Sequence, residues 1–332
     1  MDRAEQLRQW LAMTLGGDDF SIAPASDDAS FRRYFRIRRG EAQPSLVAMD
    51  APPDKENCAS YVHVANLFAA AGVHVPRIHA QDLEQGFLLL SDLGDTTYLD
   101  ALDEHNAAKL YEDALAAMLR IQQASRPGLL PDYDRELLEK ELRLFPDWYV
   151  ARQLQRKLDA AQLQTLEKAF STILANNLGQ ARVFVHRDYH SRNLMVCEPC
   201  PGILDFQDAV YGPITYDLVS LLRDAYIAWD EERVIDWAIR YWEKARAGGL
   251  PVTGNFADFY RDFEWMGAQR QLKVLGIFAR LSFRDGKDGY LKDQPLVMSY
   301  LRRTCERYRE LAALRRLLEE LDPQQKRVGH TF

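Results

Sequence analysis

The chain has 332 residues, 47% of them hydrophobic, enough for a sizeable core and for two lobes. Its net charge of −7 argues against a general nucleic-acid surface. The charged start Met1-Asp2-Arg3-Ala4-Glu5 is no signal peptide, no apolar run is long enough for a bilayer, and the cysteine usage suits a reducing compartment, so the expectation is a soluble cytoplasmic protein with no nucleic-acid or membrane partner.

Leu7, Trp10, Leu11 and Leu15 recur at a helical period, which predicts a helix over 3–15 ended by Gly16-Gly17. A strand over 21–25, a polar loop over 26–33, and strands over 34–38 and 45–50 follow, with a turn near Gly40. The loop lacks a G-x-G-x-x-G pattern. Its small residues Ser26, Ala29 and Ser30 could still bring N–H groups and hydroxyls to phosphate oxygens, although an ordinary hairpin turn is the plainer account of the loop alone. A helix over 56–71 and strands over 77–80 and 86–90 lead into Ser91-Asp92-Leu93-Gly94-Asp95, a hinge whose backbone could meet an adenine edge. Beyond it, helices are predicted over 97–123, 134–155, 161–177, 216–229, 231–247, 256–283 and 295–321. Pro146 should break or kink the second of these, and 324–332 reads as a polar tail. A sheet-rich lobe over 1–92 before a helical lobe over 93–332 is an α+β arrangement.

Chemistry concentrates in His186-Arg187-Asp188-Tyr189-His190-Ser191-Arg192-Asn193, followed by Ile203-Leu204-Asp205-Phe206. This H-R-D-x-x-x-x-N run with an Asp one hairpin later is the pattern of kinase catalytic loops. Asp188 can orient an acceptor hydroxyl and take its proton. Asn193 and Asp205 offer the hard oxygens that Mg²⁺ requires. Two apolar runs around Glu198-Pro199-Cys200-Pro201-Gly202 predict a hairpin that brings those two residues to one mouth. Cys197 and Cys200 form a C-x-x-C on its turn without a second ligand pair, and two turn thiols are the plainer reading.

These segments carry a resemblance. From about Ser21 to Leu321 the chain resembles the aminoglycoside phosphotransferase and choline kinase-like family, which has the protein-kinase-like two-lobe fold. It is most similar to the family's bacterial amino-sugar kinases through Asp28-Ala29-Ser30-Phe31-Arg32-Arg33-Tyr34-Phe35-Arg36, Met49-Asp50-Ala51-Pro52-Pro53, Leu90-Ser91-Asp92-Leu93-Gly94-Asp95, Phe145-Pro146-Asp147-Trp148-Tyr149 and Asp205-Phe206-Gln207-Asp208-Ala209. The resemblance implies a monomeric kinase that uses ATP and Mg²⁺ to phosphorylate the anomeric hydroxyl of N-acetylmuramate or N-acetylglucosamine in cell-wall sugar recycling. It implies that Asp188 is the base, that Asn193 and Asp205 are metal ligands, and that Asp217 braces the catalytic loop. Asp208 is a candidate carboxylate behind the metal, or a turn residue.

Two departures from the kinase pattern stand out. Gln207 replaces the Gly of D-F-G, and the strand Val47-Ala48-Met49-Asp50 has no lysine for the phosphates. Arg32, Arg33 and Arg36 are the candidate substitutes, with Glu56 available to orient one of them. For the acceptor, Trp148 with Tyr149 would suit a choline-like cation, and Glu139 with Glu141 an aminoglycoside. Arg270 and Lys273, on one helical face with Arg280, would suit the carboxylate of N-acetylmuramate, although a solvated basic stripe is the plainer reading. A kinase of another alcohol, or a nucleotide-binding regulatory protein without turnover, stays open at this point.

Overall fold

The structure, a computed structural model, describes residues 2–26, 31–40 and 42–323. In chain order its elements are α1 (Arg3–Leu15), β1 (Ser21–Ser26), β2 (Arg33–Arg38), β3 (Leu46–Asp50), α2 (Cys58–Ala70), β4 (Ile78–Asp82), β5 (Phe87–Ser91), α3 (Tyr98–Ala101), α4 (Ala107–Gln123) and α5 (Arg135–Leu144). A π-helix (Phe145–Gln153) continues α5, followed by α6 (Ala160–Leu178), β6 (Arg182–Val185), β7 (Leu194–Met195), β8 (Gly202–Ile203), β9 (Val210–Pro213), α7 (Tyr216–Leu222), α8 (Glu231–Ala247), α9 (Phe256–Asp285), α10 (Gln294–Arg307) and α11 (Ala312–Leu321). This is the expected α+β fold: an antiparallel sheet first, then a mainly helical remainder. Among the described residues, no helix is long and apolar enough to cross a membrane.

The chain gathers into two compact units. One holds the chain through Ala117 together with Arg192–Asp208; the other holds Met118–Ser191 and the chain from Ala209 onward. The hairpin β7–β8 joins the sheet-rich unit because Ile203 donates to the His74 carbonyl at 2.8 Å and Val196 to that of Thr96 at 2.9 Å.

In the sheet-rich unit the strand order is β1-β2-β3-β5-β4, every neighbour antiparallel. Helix α1 lays Leu7, Trp10 and Leu11 on one face of the sheet, against Phe20, Ile37, Ala48, Phe87 and Leu89. Burying such side chains stabilises by about 1.5–3 kcal/mol each. Asp50, fully buried at the end of β3, is balanced by Arg3 at 2.6 Å and by Arg33.

In the helical unit α9 is the axis, buried along most of its 30 residues. Several predicted helices are shorter than their periodicity suggested, because side chains compete for backbone groups. Asp103 and Asn106 cap each other's N–H groups at 2.9 and 3.0 Å, so 97–123 is two helices. Asp224 accepts from Tyr226 N at 3.0 Å, and α7 stops at Leu222 rather than 229. Tyr308 is extended, φ −112° and ψ 121°, and divides 295–321. Pro146 leaves the chain helical but shifts it to π spacing, with Leu154 donating to Tyr149 at 3.0 Å. Strand β9, which pairs with β6, was not expected, because Val-Tyr-Gly-Pro reads as turn punctuation.

The junction of α5 with its π-helix lies directly against α9. A Cβ on Gly276 would stand 2.3 Å from the Leu144 carbonyl carbon and 2.5 Å from its oxygen. Gly276→Ala is therefore expected to lower stability by about 1–3 kcal/mol, the cost of overpacking. Urea unfolding checks this, and an unchanged midpoint would show that the crossing is loose.

Candidate active site

The loop after β6 is held by carboxylates of the helical unit. Asp217, in the first turn of α7 and 1% exposed, accepts from His186 N at 2.7 Å and Arg187 N at 3.0 Å. The helix cap itself is Thr215, so Asp217 is available to the loop. Arg187 takes a left-handed conformation, φ 79°, and Ser220 Oγ donates to its carbonyl at 3.3 Å. Asp224, which the sequence reading missed, accepts from Ser191 N at 2.8 Å. The Asp188 side chain thus projects from a backbone fixed on both sides.

Around Asp188 the interior is densely charged. Glu141 on α5, 5% exposed, meets Arg187 at 2.6 Å and Lys273 at 3.0 Å, and Tyr133 donates its hydroxyl to the second carboxylate oxygen. Lys273 also donates to the Tyr216 hydroxyl at 2.9 Å. Burial would raise the Asp188 carboxyl, but Lys273, His190, Arg270 and Arg187 outweigh it and hold the group well below the ordinary carboxylate range. As a residue Asp188 is half-buried. Glu141 and Lys273 were expected among substrate residues. The structure places them in this buried network, together with the unassigned Arg187, Tyr133 and Tyr216.

In the sheet-rich unit the hairpin β7–β8 forms as expected. Leu204 N donates to Asn193 O at 2.9 Å, and the Asn193 side chain lies 3.4 Å from Asp205. Asp205 is also left-handed, φ 58°, and accepts from Gln207 at 2.8 Å. Phe206 packs at a tilt against Tyr61 and Phe68 of α2, centroids 4.8 and 5.9 Å apart, and Ser60 Oγ donates to Gln207 O at 2.7 Å. These contacts fasten the segment carrying Asp205 to α2. The exposed Asp208 lies next to Gln207, at 3.4 Å. Among the described residues there is no cluster of three or more His, Cys, Asp or Glu side chains able to hold a metal. Asn193 and Asp205 fit Mg²⁺, which takes one or two protein oxygens and completes its shell with phosphates and water.

The three candidate arginines separate by partner. Arg33 is bound to Asp50. Arg36 grips Asp92 at 2.6 and 3.2 Å and the Gly94 carbonyl at 2.9 Å, so two expected nucleotide residues face each other. Arg32, with its side chain 9% exposed, lies 3.5 Å from Asp205 and 3.8 Å from Glu56. Leu93 is buried beside the hairpin. Ser26 ends β1, whereas Ser30 lies outside the described residues. Trp148 is half-buried on the π-helix. Arg270 is 5% exposed in the middle of α9.

The phosphotransferase enzyme family, APH, matches residues 21–251, and the chain belongs to it. More particularly, a protein of Neisseria meningitidis serogroup B is 49% identical over 337 residues and covers 100% of both chains. One of Pseudomonas aeruginosa is 53% identical over 300 residues, covering 90% of this chain and 88% of its own. Both are named N-acetylmuramate/N-acetylglucosamine kinase. The solved structure of an ADP-bound aminoglycoside phosphotransferase, APH(2'')-Ib, is similar with a TM-score of 0.58 over 89% of this chain and 96% of that one. At 14% identity that likeness is one of fold.

Burial, partly offset by the two backbone N–H groups, pushes Asp217 up to about 7, and the charge of Asp188 adds to the rise. A carboxyl raised in the folded chain stabilises at low pH, and that contribution is lost as pH climbs through its folded value. Asp188, depressed, loses its contribution only in acid, below the ordinary carboxylate range. In Asp188→Asn the melting temperature should therefore fall less between pH 5 and pH 8 than in the unchanged protein, an interval of roughly neutral titration set by Asp217. Parallel slopes in the two melting series would mean that Asp188 does not act on Asp217.

Proposed function

We propose that this chain is an ATP-dependent sugar kinase that phosphorylates the anomeric hydroxyl of N-acetylmuramate and N-acetylglucosamine, acting as a monomer in cell-wall sugar recycling. The observation that carries the reading is the 49% identity over the whole chain to a kinase named for those two sugars. An ADP-bound structure of the same fold supports ATP as donor. In this reading residues 1–92 cover the nucleotide, and 93–332 carry the catalytic loop and the sugar site.

Each residue then has a physical role. Asp188, ionised, accepts a hydrogen bond from the acceptor hydroxyl and takes its proton as the phosphoryl group is transferred. Asp217 keeps the loop rigid through two backbone N–H groups. Asn193 and Asp205 would hold Mg²⁺, which when bound neutralises charge on the transferring phosphates. Arg32, oriented by Glu56, stands in for the missing strand lysine. Arg33 and Arg36 already serve Asp50 and Asp92, so the sheet needs them where they are.

The direct test is ADP release with Mg-ATP and a panel of both amino sugars, choline and an aminoglycoside. Turnover confined to the amino sugars supports the reading, and none with either amino sugar overturns it. Asp188→Asn should keep nucleotide affinity yet lower kcat about a hundredfold or more, the scale of a positioned base. Asp205→Ala should lose productive Mg-ATP binding, seen as a changed dependence of rate on Mg²⁺ concentration. Arg32→Met should raise KM for ATP or reduce kcat. Arg33→Met and Arg36→Met should instead lower the melting temperature, and equal kinetic effects in all three would remove the assignment to Arg32.

A further inference from the structure

Three cationic side chains are buried among the described residues of the helical unit: Arg223, Arg270 and Lys273. Arg223 meets Glu231 at 2.7 Å, and Lys273 meets Glu141 at 3.0 Å. The guanidinium of Arg270 makes no hydrogen bond or ion pair among the described residues. Burying a charge without a partner is costly, and chains normally avoid it by pairing or exposure.

Its location narrows what the partner can be. Arg270 acts electrostatically on both Asp188 and Asp217, yet it forms an ion pair with neither. Lys273, three residues along α9, shares Glu141 with Arg187, the neighbour of Asp188, so this stretch of α9 runs beside the carboxylate that would meet the acceptor hydroxyl. One helical turn further along, Lys273 is already held by Glu141 and Tyr216. Of the two cations expected to face the sugar, only Arg270 lacks an ion pair or hydrogen bond among the described residues. The two sugars named for the relatives differ by one group, the lactyl ether of N-acetylmuramate, which ends in a carboxylate.

We propose that Arg270 binds that lactyl carboxylate and so sets the preference of the site between N-acetylmuramate and N-acetylglucosamine. The inference rests on the amino-sugar kinase reading above. A planar guanidinium can meet a carboxylate with two parallel hydrogen bonds, which an ammonium cannot reproduce. N-acetylglucosamine brings no anion to the same place, so it forms no ion pair there.

The experiment compares steady-state kinetics of the full chain, Arg270→Met and Arg270→Lys on both sugars and on the methyl ester of N-acetylmuramate. In Arg270→Met, KM for N-acetylmuramate should rise about tenfold to a hundredfold, the scale of a lost charge-assisted hydrogen bond. N-acetylglucosamine, which makes no such bond, should lose less, so the ratio of kcat/KM for N-acetylmuramate over N-acetylglucosamine should drop about tenfold or more. Arg270→Lys should show a smaller drop in the same ratio. The unchanged protein should use the ester less well than the acid, and Arg270→Met should use them alike. Equal losses on both sugars, no loss on either, or an unchanged protein indifferent to esterification would overturn the inference. The ester comparison decides the matter even if both variants fail to fold. Wild-type protein that phosphorylates neither sugar would instead sink the kinase reading itself.

Discussion

Bringing an arginine and a lysine into the same interior is tolerable only if an acid meets both. Effective penalties of several kcal/mol per buried ion make an unmatched pair untenable. Glu141 supplies that acid from α5, and Tyr133 satisfies its remaining oxygen. Burial alone would raise its carboxyl; Lys273 and Arg187 keep it below the ordinary range, so the cluster stays ionic. The state of Asp188 depends on this cluster. Lys273 and Arg187, with His190 and Arg270, hold the Asp188 carboxyl well below the ordinary carboxylate range. Packing depends on it as well, since the same stretch of α9 carries Gly276 against Leu144, three residues beyond each member of the Glu141–Lys273 pair.

The sheet-rich unit uses the opposite arrangement, with carboxylates as the buried ions and arginines brought to them. Asp50 and Asp92 each draw an arginine from β2, and Ser45 adds a hydrogen bond to Asp92 at 2.7 Å. In a hairpin sheet, residues three apart along β2 point to opposite faces. Arg33 and Arg36 therefore reach different partners, and Arg32 lies just before the strand, where it meets Glu56 and Asp205. The dense pairing explains how three arginines in five residues coexist without repelling one another apart.

The sequence made the sheet and the hairpin legible because alternation, Gly and Pro turns and the H-R-D-x-x-x-x-N spacing are local signals. Helix ends were less legible. Asp103, Asp224 and Tyr308 end or divide helices through contacts that periodicity does not encode. Glu141 and Lys273 illustrate the harder limit: on paper an acid and a lysine 132 positions apart look like separate binding groups, and only folding brings them to 3.0 Å. The left-handed backbone at Arg187 was likewise invisible, since an arginine does not signal it, whereas an aspartate such as Asp205 adopts it more readily. Strain of that kind tends to gather where chemistry is done, and here it flanks both ends of the motif that the sequence singled out.

The absence of lysine from β3 has a chemical consequence. Reagents that carry an acylating group on a nucleotide phosphate rely on a nucleophilic amine beside the phosphates. A guanidinium is a poor nucleophile, and its charge is fixed. If Arg32 holds the phosphates, such reagents would pass through this site without acylating it. On the same condition, β3 offers no lysine there for acetylation.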